Sequence, residues 1–288
     1  MKTKVLITLI LLTFTATAFS QAPQEKQVTV FGAKINYVEA GDPSKPVVLL
    51  LHGMGASAGV AWPMTTPALA ANYRVLAPDM IGFGKSDKPF INYRVAFYVD
   101  FIDRFLTEVK ADKVSIVGNS LGGWIAALYA AKYPTKVNKL VLVGSAGYGP
   151  PPGFDYGKLA VQMNPSTRDA VRESLKLMFY NSAPLTSDAA VDGFISARSM
   201  TNDGYTIQTL IRNLQHADDY FDDEVKALKT PTLLVWGKQD GIVPVIIGEM
   251  LKRDIAGSEL FIIDKAGHLP QFEQPVEFNK KVSEFLAK

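Results

Sequence analysis

The sequence predicts an α/β fold in which a mostly parallel, doubly wound sheet of about eight strands carries one helical insertion. Short, uniformly apolar segments such as residues 46–51 and 232–236 are typical of central strands covered on both faces. Segments with helical spacing of apolar residues lie between such strands, and this alternation implies parallel pairing. The alternation stops for about 75 residues after Gly149, where the patterns are helical only, and it resumes after Pro231.

The first half of the chain predicts a hairpin followed by alternating strands and helices. Alternating apolar and polar residues on both sides of Gly32 predict an antiparallel hairpin, and the later apolar runs predict central strands. Helices are predicted over residues 95–109 and directly after Ser120. The predicted strands are, in order, 28–30, 35–39, 46–51, 73–78, 114–118 and 140–143, and after the insertion 232–236 and 260–263.

The insertion begins at a proline-rich stretch, Gly149 to Gly153. The segment that follows contains amphipathic patterns, such as residues 166–180, in which apolar residues line one face. We assign residues 21–147 and 227–288 to the core and residues 148–226 to a helical lid. The lid is expected to cover the carboxyl edge of the sheet.

Residues 1–20 have the organisation of a secretory signal peptide. Two lysines precede an apolar stretch, and small residues follow around Ala18. The stretch is about 15 residues long, which is short for a membrane span of about 20, so an uncleaved anchor is the less favoured alternative. We expect cleavage after Ala18 or Ser20, localisation in the periplasm or outside the cell, and no stable membrane insertion afterwards.

The composition excludes several classes of function. The chain has 30 basic and 28 acidic residues, and removing the leader with its two lysines leaves 28 of each. A net charge near zero argues against nucleic acid or an anionic surface as partner. The absence of cysteine excludes disulfides, thiolate chemistry and a lipoprotein anchor. No metal-ligand spacing or phosphate-binding glycine loop occurs, so no cofactor is expected and the partner is a small-molecule substrate.

Ser120 is the candidate nucleophile. It lies in Gly118-Asn119-Ser120-Leu121-Gly122, directly after a predicted strand and directly before a predicted helix. Glycines two residues before and after the serine permit a tight strand-to-helix turn that exposes the hydroxyl. A second match to this pattern surrounds Ser57, but no strand leads directly into it. We therefore interpret Ser57 as a coincidental match in a loop.

His268 is the candidate base, because a serine hydroxyl must be activated by an adjacent imidazole. The chain has only three histidines. His268 follows the last predicted strand and His52 follows an earlier one, so both are expected at the carboxyl edge of the sheet, where Ser120 also lies. We interpret His52 as structural, and His216, in a polar stretch of the insertion, as a solvated residue.

Asp240 is the candidate acid that orients the base. It lies in Trp236-Gly237-Lys238-Gln239-Asp240, immediately after a predicted strand. Asp264 is closer to His268 in sequence, but it falls at the end of its own strand. The order Ser120, Asp240, His268 is the serine–acid–histidine order of one known hydrolase arrangement.

The oxyanion of a tetrahedral intermediate requires backbone N–H donors. The amide of Leu121 is suitably placed at the amino terminus of the helix, where the helix dipole also favours negative charge. The second donor is expected from the glycine-rich loop after residues 46–51, and Met54 is the most plausible residue there.

These pieces together resemble the α/β-hydrolase superfamily, from about residue 28 to the end of the chain. The resemblance implies the α/β-hydrolase fold, a nucleophile, acid and base at Ser120, Asp240 and His268, and oxyanion-hole amides at Met54 and Leu121. The residues that carry it are His52-Gly53-Met54-Gly55, Asp79-Met80-Ile81-Gly82-Phe83-Gly84-Lys85-Ser86-Asp87, Gly118-Asn119-Ser120-Leu121-Gly122-Gly123, Gly237-Lys238-Gln239-Asp240 and Gly267-His268-Leu269-Pro270.

Within the superfamily the chain is similar to lid-bearing esterases and to meta-cleavage-product hydrolases, which split C–C bonds. The second group has a lid arginine near the position of Arg198, and usually a tryptophan after the base, where this chain has Leu269. The resemblance therefore places Arg198 and Leu269 in the substrate-binding site. The sequence favours hydrolysis of a carboxylic ester with an apolar acyl or aromatic group. C–C bond hydrolysis is the alternative, and a ligand receptor on a hydrolase fold is a further one.

The insertion also offers large apolar residues that are expected either to line the substrate pocket or to pack within the lid. They are Met163, Met178, Phe179, Tyr180, Phe194 and Tyr205.

Overall fold

The computed structural model describes residues 22–149, 153–213 and 220–288. One sheet of eight strands, in the order β1-β2-β4-β3-β5-β6-β7-β8, forms the centre of the molecule. The strands from β3 onward pair in parallel, whereas β2 is antiparallel to both β1 and β4. The prediction of a mostly parallel sheet is therefore confirmed. The strands are β1 Gln24–Val30, β2 Ala33–Ala40, β3 Val47–Leu51, β4 Arg74–Pro78, β5 Val114–Asn119, β6 Val137–Val143, β7 Thr232–Gly237 and β8 Glu259–Ile263.

Helices connect the strands on both faces of the sheet. Those of the core are α1 Ala58–Ala61, α2 Thr65–Ala70, α3 Val95–Glu108, α4 Leu121–Lys132, α10 Val245–Asp254, α11 Pro270–Glu273 and α12 Pro275–Ala287. Those between β6 and β7 are α5 Tyr156–Gln162, α6 Arg168–Met178, α7 Asp188–Thr201, α8 Gly204–Asn213 and α9 Asp222–Ala227, with a 3₁₀ turn at Ala183–Leu185. The predicted helical insertion is thus confirmed.

The central strands of the sheet are buried on both faces, which explains their mostly apolar sequences. In β3, Leu49 and Leu51 pack into one apolar layer and Val48 and Leu50 into the other. Alternate residues of a strand point to opposite faces, so each central strand contributes to both layers. This packing holds the ends of the central strands in place at the carboxyl edge of the sheet. It therefore also fixes the loops that follow β3, β5, β7 and β8.

Three sequence expectations fall outside the described residues. They are the signal peptide over residues 1–20, most of the proline-rich run at residues 150–152, and His216. In the part of the chain that the structure describes, no helix combines the length and the apolar character needed to cross a bilayer.

Candidate active site

The turn between β5 and α4 holds Ser120 in an unusual backbone conformation. Ser120 has φ 55° and ψ −117°, and α4 begins with the next residue. Positive φ is uncommon for residues other than glycine, and its occurrence at a sharp turn marks a functional constraint. The amide of Ser120 donates to the carbonyl of Val143 on the neighbouring strand at 2.9 Å, which anchors the turn to the sheet.

The two glycines of the motif are required because backbones approach closely at this turn. A Cβ atom on Gly118 would lie 2.3 Å from the carbonyl oxygen of Gly122. A Cβ atom on Gly122 would lie 2.3 Å from the carbonyl oxygen of Leu51, at the end of β3. The glycines therefore permit both the tight turn and the packing of α4 against the neighbouring loop.

The base and the acid lie together in a buried pair. Nδ1 of His268 is 2.8 Å from Oδ2 of Asp240, and both side chains are buried. The other carboxylate oxygen, Oδ1, accepts hydrogen bonds from the backbone amides of Ile242 and Val243 at 2.8 and 2.9 Å. Because Asp240 accepts at both oxygens, Nδ1 of His268 is the donor. In the neutral imidazole Nε2 then carries no proton and can accept one from a hydroxyl.

Hydrogen bonds from several elements hold the loop of the base. The side-chain amide of Asn119 donates to the carbonyl oxygens of Val143 at 3.1 Å and His268 at 3.2 Å. Asn119 thereby links the strand of the nucleophile to the base. The amide of Gln239 donates to Ala266 at 3.0 Å, which joins the acid and base loops.

The lid also contacts these loops, through the last turn of α6. The carbonyl oxygen of Met178 accepts from the amide of His268 at 2.8 Å, and that of Leu177 accepts from Gly241 at 3.2 Å. Carbonyl groups in the last turn of a helix have no partner within the helix. Here they orient the loops of the base and of the acid.

The loop after β3 comes close to the nucleophile. A Cβ atom on Gly53 would lie 3.3 Å from Cβ of Ser120. Met54 in this loop and Leu121 at the start of α4 line the same cavity as Ser120. The two residues proposed from the sequence as oxyanion donors therefore line the same cavity as the nucleophile.

His52 has structural contacts rather than contacts with Ser120. Its Nε2 accepts from the amide of Met80 at 3.0 Å, and its Nδ1 donates to the carbonyl of Gly53 at 2.7 Å. Burial lowers the pKa of His52 below its usual value, which favours the neutral imidazole that this pair of hydrogen bonds requires. His52 thus fixes the loop that carries Met54.

The other candidates for the nucleophile and the acid, Ser57 and Asp264, do not line the cavity that contains Ser120. Ser57 precedes α1 and does not line the cavity. The carboxylate of Asp264 accepts from the side-chain amide of Gln239 at 3.1 Å, and its ion pair with Lys238 is exposed. Among the residues that the structure describes, no three His, Asp or Glu side chains group closely enough to hold a metal ion.

Ser120 and His268 open into a cavity of about 360 Å³ between the core and the lid. Its lining is predominantly apolar, and of the residues singled out for substrate binding both Arg198 and Leu269 are part of it. Nη1 of Arg198 contacts the buried carboxylate of Asp203 at 2.8 Å and the carbonyl oxygen of Gly55 at 3.2 Å. Arg198 is therefore a charged side chain in a predominantly apolar pocket, linked to the loop that carries Met54.

Four of the six large apolar residues singled out in the insertion line the cavity, and the other two neither line it nor show packing within the insertion. Met163, Met178, Phe179 and Phe194 line the cavity. Tyr205 does not, because its ring stacks on that of Phe90 with centroids 3.8 Å apart. Tyr180 is about half exposed and also lies outside the lining.

Comparison with known proteins gives a family. The family model for the alpha/beta hydrolase fold matches residues 46–275. The curated 2-hydroxy-6-oxo-6-(2'-aminophenyl)hexa-2,4-dienoic acid hydrolase of Metapseudomonas resinovorans is 34% identical over an alignment 284 positions long, which covers 92% of this chain and 91% of that protein.

Solved structures agree on the fold. The meta-cleavage product hydrolase of Pseudomonas fluorescens superposes with a TM-score of 0.78 and 31% identity, covering 91% of this chain and 97% of that one. A bacterial membrane phospholipase A superposes with a TM-score of 0.82 and 27% identity, covering 92% and 86%. The chain belongs to the α/β-hydrolase family.

Proposed function

We propose that this α/β hydrolase cleaves a C–C bond next to a ketone in a 2-hydroxy-6-oxo-dienoate, through an acyl-enzyme on Ser120. Two curated relatives, 34% and 28% identical to this chain, are named as hydrolases of a 2-hydroxy-6-oxo-dienoic acid and of a 2-hydroxy-6-oxo-dienedioate, and the Pseudomonas fluorescens structure is named as a meta-cleavage product hydrolase. The observation in the site that carries the proposal is Arg198, a cation beside the loop that carries Met54 in a predominantly apolar cavity. A dienoate has a carboxylate for this cation and an apolar group for the remaining lining.

The chemistry begins with attack on the ketone. Nε2 of His268 takes the proton of the Ser120 hydroxyl as its oxygen attacks the carbonyl carbon, and Asp240 stabilises the imidazolium. The amides of Met54 and Leu121 stabilise the resulting oxyanion. Loss of one such donor typically lowers the rate by about 100- to 1,000-fold.

Cleavage of the C–C bond requires a stabilised leaving carbanion. In the 2-keto tautomer of the substrate, the electron pair of the breaking bond can be delocalised through the double bond onto the 2-oxo oxygen. His268 returns its proton to that oxygen, which gives the dienol product. Water then attacks the acyl-enzyme, with His268 again as base, and releases the carboxylic acid.

The role proposed for Arg198 is to bind the carboxylate end of the substrate. A guanidinium has five N–H donors, and contacts are identified for Nη1. A further N–H is thus able to approach a ligand carboxylate while Asp203 holds the side chain in place. Charge near the 2-oxo group also favours the developing enolate.

The decisive experiment uses two substrates that form the same acyl-enzyme. 2-Hydroxy-6-oxo-6-phenylhexa-2,4-dienoate and p-nitrophenyl benzoate both give benzoyl-Ser120, so deacylation is identical and only the first step differs. We expect kcat/KM for the dienoate to exceed that for the ester by tenfold or more. The Ser120→Ala variant is the control for non-enzymatic turnover. A preference for the ester would reject the proposal.

Ester hydrolysis is the second candidate, because Leu269 and the apolar lining offer the carboxylate end few polar partners. The charge of Arg198 is also already paired with Asp203 at 2.8 Å. A matched pair of p-nitrophenyl esters, one with a carboxylate in the acyl chain and one without, distinguishes the two. Preference for the uncharged ester by tenfold or more favours the second candidate.

We also propose that the protein acts in the periplasm or outside the cell. The support is the signal-peptide organisation of residues 1–20. Fractionation of cells that express the full chain, followed by intact-mass measurement, tests this proposal. The expected result is a chain that begins near residue 19 or 21 outside the cytoplasm, and an unprocessed cytoplasmic chain rejects it.

A further inference from the structure

Glu273 is a partly buried carboxylate at the end of the short helix α11, five residues after the candidate base His268. It does not line the catalytic cavity. Its Oε2 accepts from the backbone amide of Gly267 at 2.6 Å, and its Oε1 accepts from the amide of Asn181, a residue of the lid, at 3.2 Å. Glu273 therefore bridges the loop of the base and the segment that follows α6.

The peptide unit between Gly267 and His268 is also held by the backbone of the lid. The amide of His268 donates to the carbonyl oxygen of Met178 at 2.8 Å. A Cβ atom on Gly267 would lie 2.4 Å from that same oxygen and 3.0 Å from the amide nitrogen of Tyr180, so the close approach of the lid requires a glycine here. Two consecutive amides thus have fixed acceptors, one on the side chain of Glu273 and one on the lid.

The loop of the base has further attachments that do not depend on Glu273. The side-chain amide of Asn119 donates to the carbonyl oxygen of His268 at 3.2 Å. Oε1 of Gln239 accepts from the amide of Ala266 at 3.2 Å. Loss of Glu273 would therefore leave the loop attached but free to shift at the residue directly before the base.

We propose that Glu273 is a positioning residue for the catalytic base. It holds the amide of Gly267, and through it the imidazole of His268, where Nε2 can take the proton of the Ser120 hydroxyl. Without this acceptor the amide of Gly267 turns toward water, and the backbone of His268 moves with it. Misplacement of a reacting group by about 1 Å can lower a rate by about 100-fold.

This inference rests on the proposed use of Ser120 and His268 as nucleophile and base, and it goes beyond that use by naming the side chain that sets the position of the base. It applies equally to cleavage of a ketone and of an ester.

The experiment compares three substitutions by steady-state hydrolysis of p-nitrophenyl benzoate. Glu273→Leu removes both acceptor oxygens and keeps a side chain of similar size. Glu273→Gln is the conservative variant, because its oxygen can still accept from Gly267. Glu277→Gln is the matched control, because it removes an exposed carboxylate from the adjoining helix α12. Thermal unfolding checks that each variant is folded at the assay temperature, and Glu273→Ser replaces Glu273→Leu if the latter does not fold.

We expect Glu273→Leu to lower kcat by about 5- to 50-fold. KM should stay within about twofold of the wild type, since Glu273 does not line the cavity. Glu273→Gln should keep kcat within about threefold of the wild type, and Glu277→Gln should match the wild type. An unchanged kcat in Glu273→Leu overturns the proposal, as does a change confined to KM. Equal losses of kcat in Glu273→Leu and Glu273→Gln would assign the effect to the charge rather than to the acceptor, and also overturn it.

A second background shows whether Glu273 acts through His268. The residual rate of His268→Ala does not use an imidazole, so the addition of Glu273→Leu should cause no further loss. The same loss in both backgrounds would mean that Glu273 supports the nucleophile or the cavity instead of the base, and overturns the proposal.

The proton between Nδ1 of His268 and Asp240 gives a readout that needs no turnover. Its low-field NMR resonance depends on the position of the imidazole relative to the carboxylate, which are 2.8 Å apart in the wild type. The resonance should shift in Glu273→Leu and stay in place in Glu273→Gln and Glu277→Gln, and an unshifted resonance in Glu273→Leu overturns the proposal. If neither the dienoate nor the ester is hydrolysed, the proposed function fails, and the resonance still decides the role of Glu273.

Discussion

Replacement of Asp240 by asparagine should inactivate the hydrolase through the tautomer of His268. In the wild type, Oδ2 of Asp240 accepts from Nδ1 of His268, while Oδ1 accepts from the amides of Ile242 and Val243. Asparagine keeps one oxygen and replaces the other by an NH₂ group. If the oxygen remains on the two backbone amides, the NH₂ group faces Nδ1 and forces the proton of the imidazole onto Nε2. Nε2 can then no longer accept the proton of Ser120.

The backbone amides of Ile242 and Val243 determine how far kcat falls in this variant. Turning the asparagine so that its oxygen faces His268 leaves the buried N–H groups of Ile242 and Val243 without an acceptor. Each such loss costs about 1–3 kcal/mol, so the turned form amounts to at most about 3% of the molecules. We therefore expect kcat to fall by at least about 30-fold. The upper limit is the roughly 10⁴-fold typical of a triad in the wrong tautomer, which is about 5.4 kcal/mol of transition-state stabilisation.

The assay is steady-state hydrolysis of p-nitrophenyl benzoate and of the phenyl dienoate, with thermal unfolding as a check on structure. Asp264→Asn is the matched control, because Asp264 is an exposed carboxylate in the turn between β8 and His268. Its rates should stay within twofold of the wild type. Asp240→Asn with unchanged Tm and a loss of less than tenfold would refute the reasoning from the two backbone donors.

Three further outcomes follow from the contacts. Burial lowers the pKa of His52, so below about pH 6.5 the unfolded chain binds more protons than the folded one, and the free energy of unfolding falls from about pH 7 to pH 5. Urea unfolding of His52→Gln should show a smaller fall over this range. An equal fall in the variant contradicts this. Gly118→Ala places a Cβ atom 2.3 Å from the carbonyl oxygen of Gly122, so fluorophosphonate labelling of Ser120 should fall at least tenfold. Gly193→Ala is the control, because a Cβ atom there meets nothing within 4 Å, and this variant should be labelled like the wild type. Arg198→Met leaves the carboxylate of Asp203 buried without its ion pair. Denaturant unfolding should show a free energy of unfolding lower by about 2–4 kcal/mol, and Arg198→Met/Asp203→Asn should partly restore it. No recovery in the double variant would mean that the loss does not come from the broken ion pair.

The central part of the fold was predictable because the central strands are buried on both faces. A strand that is buried on both faces consists mostly of apolar residues, as in β3, β5 and β7, and such a run is recognisable in the sequence. The short helices α1, α2 and α11 were not predicted. They have four to six residues each, too few for a helical period to be recognised.

The candidate triad was predictable because each residue lies in the turn or loop after a strand at one edge of the sheet, where local sequence identifies it. The supports of the triad were not. The backbone carbonyls of Leu177 and Met178 accept hydrogen bonds from the loops of the acid and the base. The side chain of Asn119 donates to the carbonyl of His268, 149 residues along the chain. No local sequence pattern indicates such contacts. The pairing of Arg198 with Asp203 is close in sequence, five residues apart. It was nevertheless missed, because the burial of Asp203 depends on the packing of the lid.

The orientation of the lid side chains was likewise beyond the sequence. Tyr205 and Phe194 are both large and apolar in character, yet one stacks on Phe90 and the other lines the cavity. The difference arises from which face of α7 or α8 meets the core. That is settled by tertiary packing rather than by residue type.

The central claim is that Ser120 forms an acyl-enzyme with the ketone side of the cleaved bond. Rapid quenching of the wild type with excess phenyl dienoate, followed by intact-mass and peptide mass measurement, tests it most directly. The account predicts an increase equal to one benzoyl group less one hydrogen, on the peptide that contains Ser120, and no increase in Ser120→Ala. Turnover of the dienoate without any such adduct, or with the adduct on another residue, would contradict it.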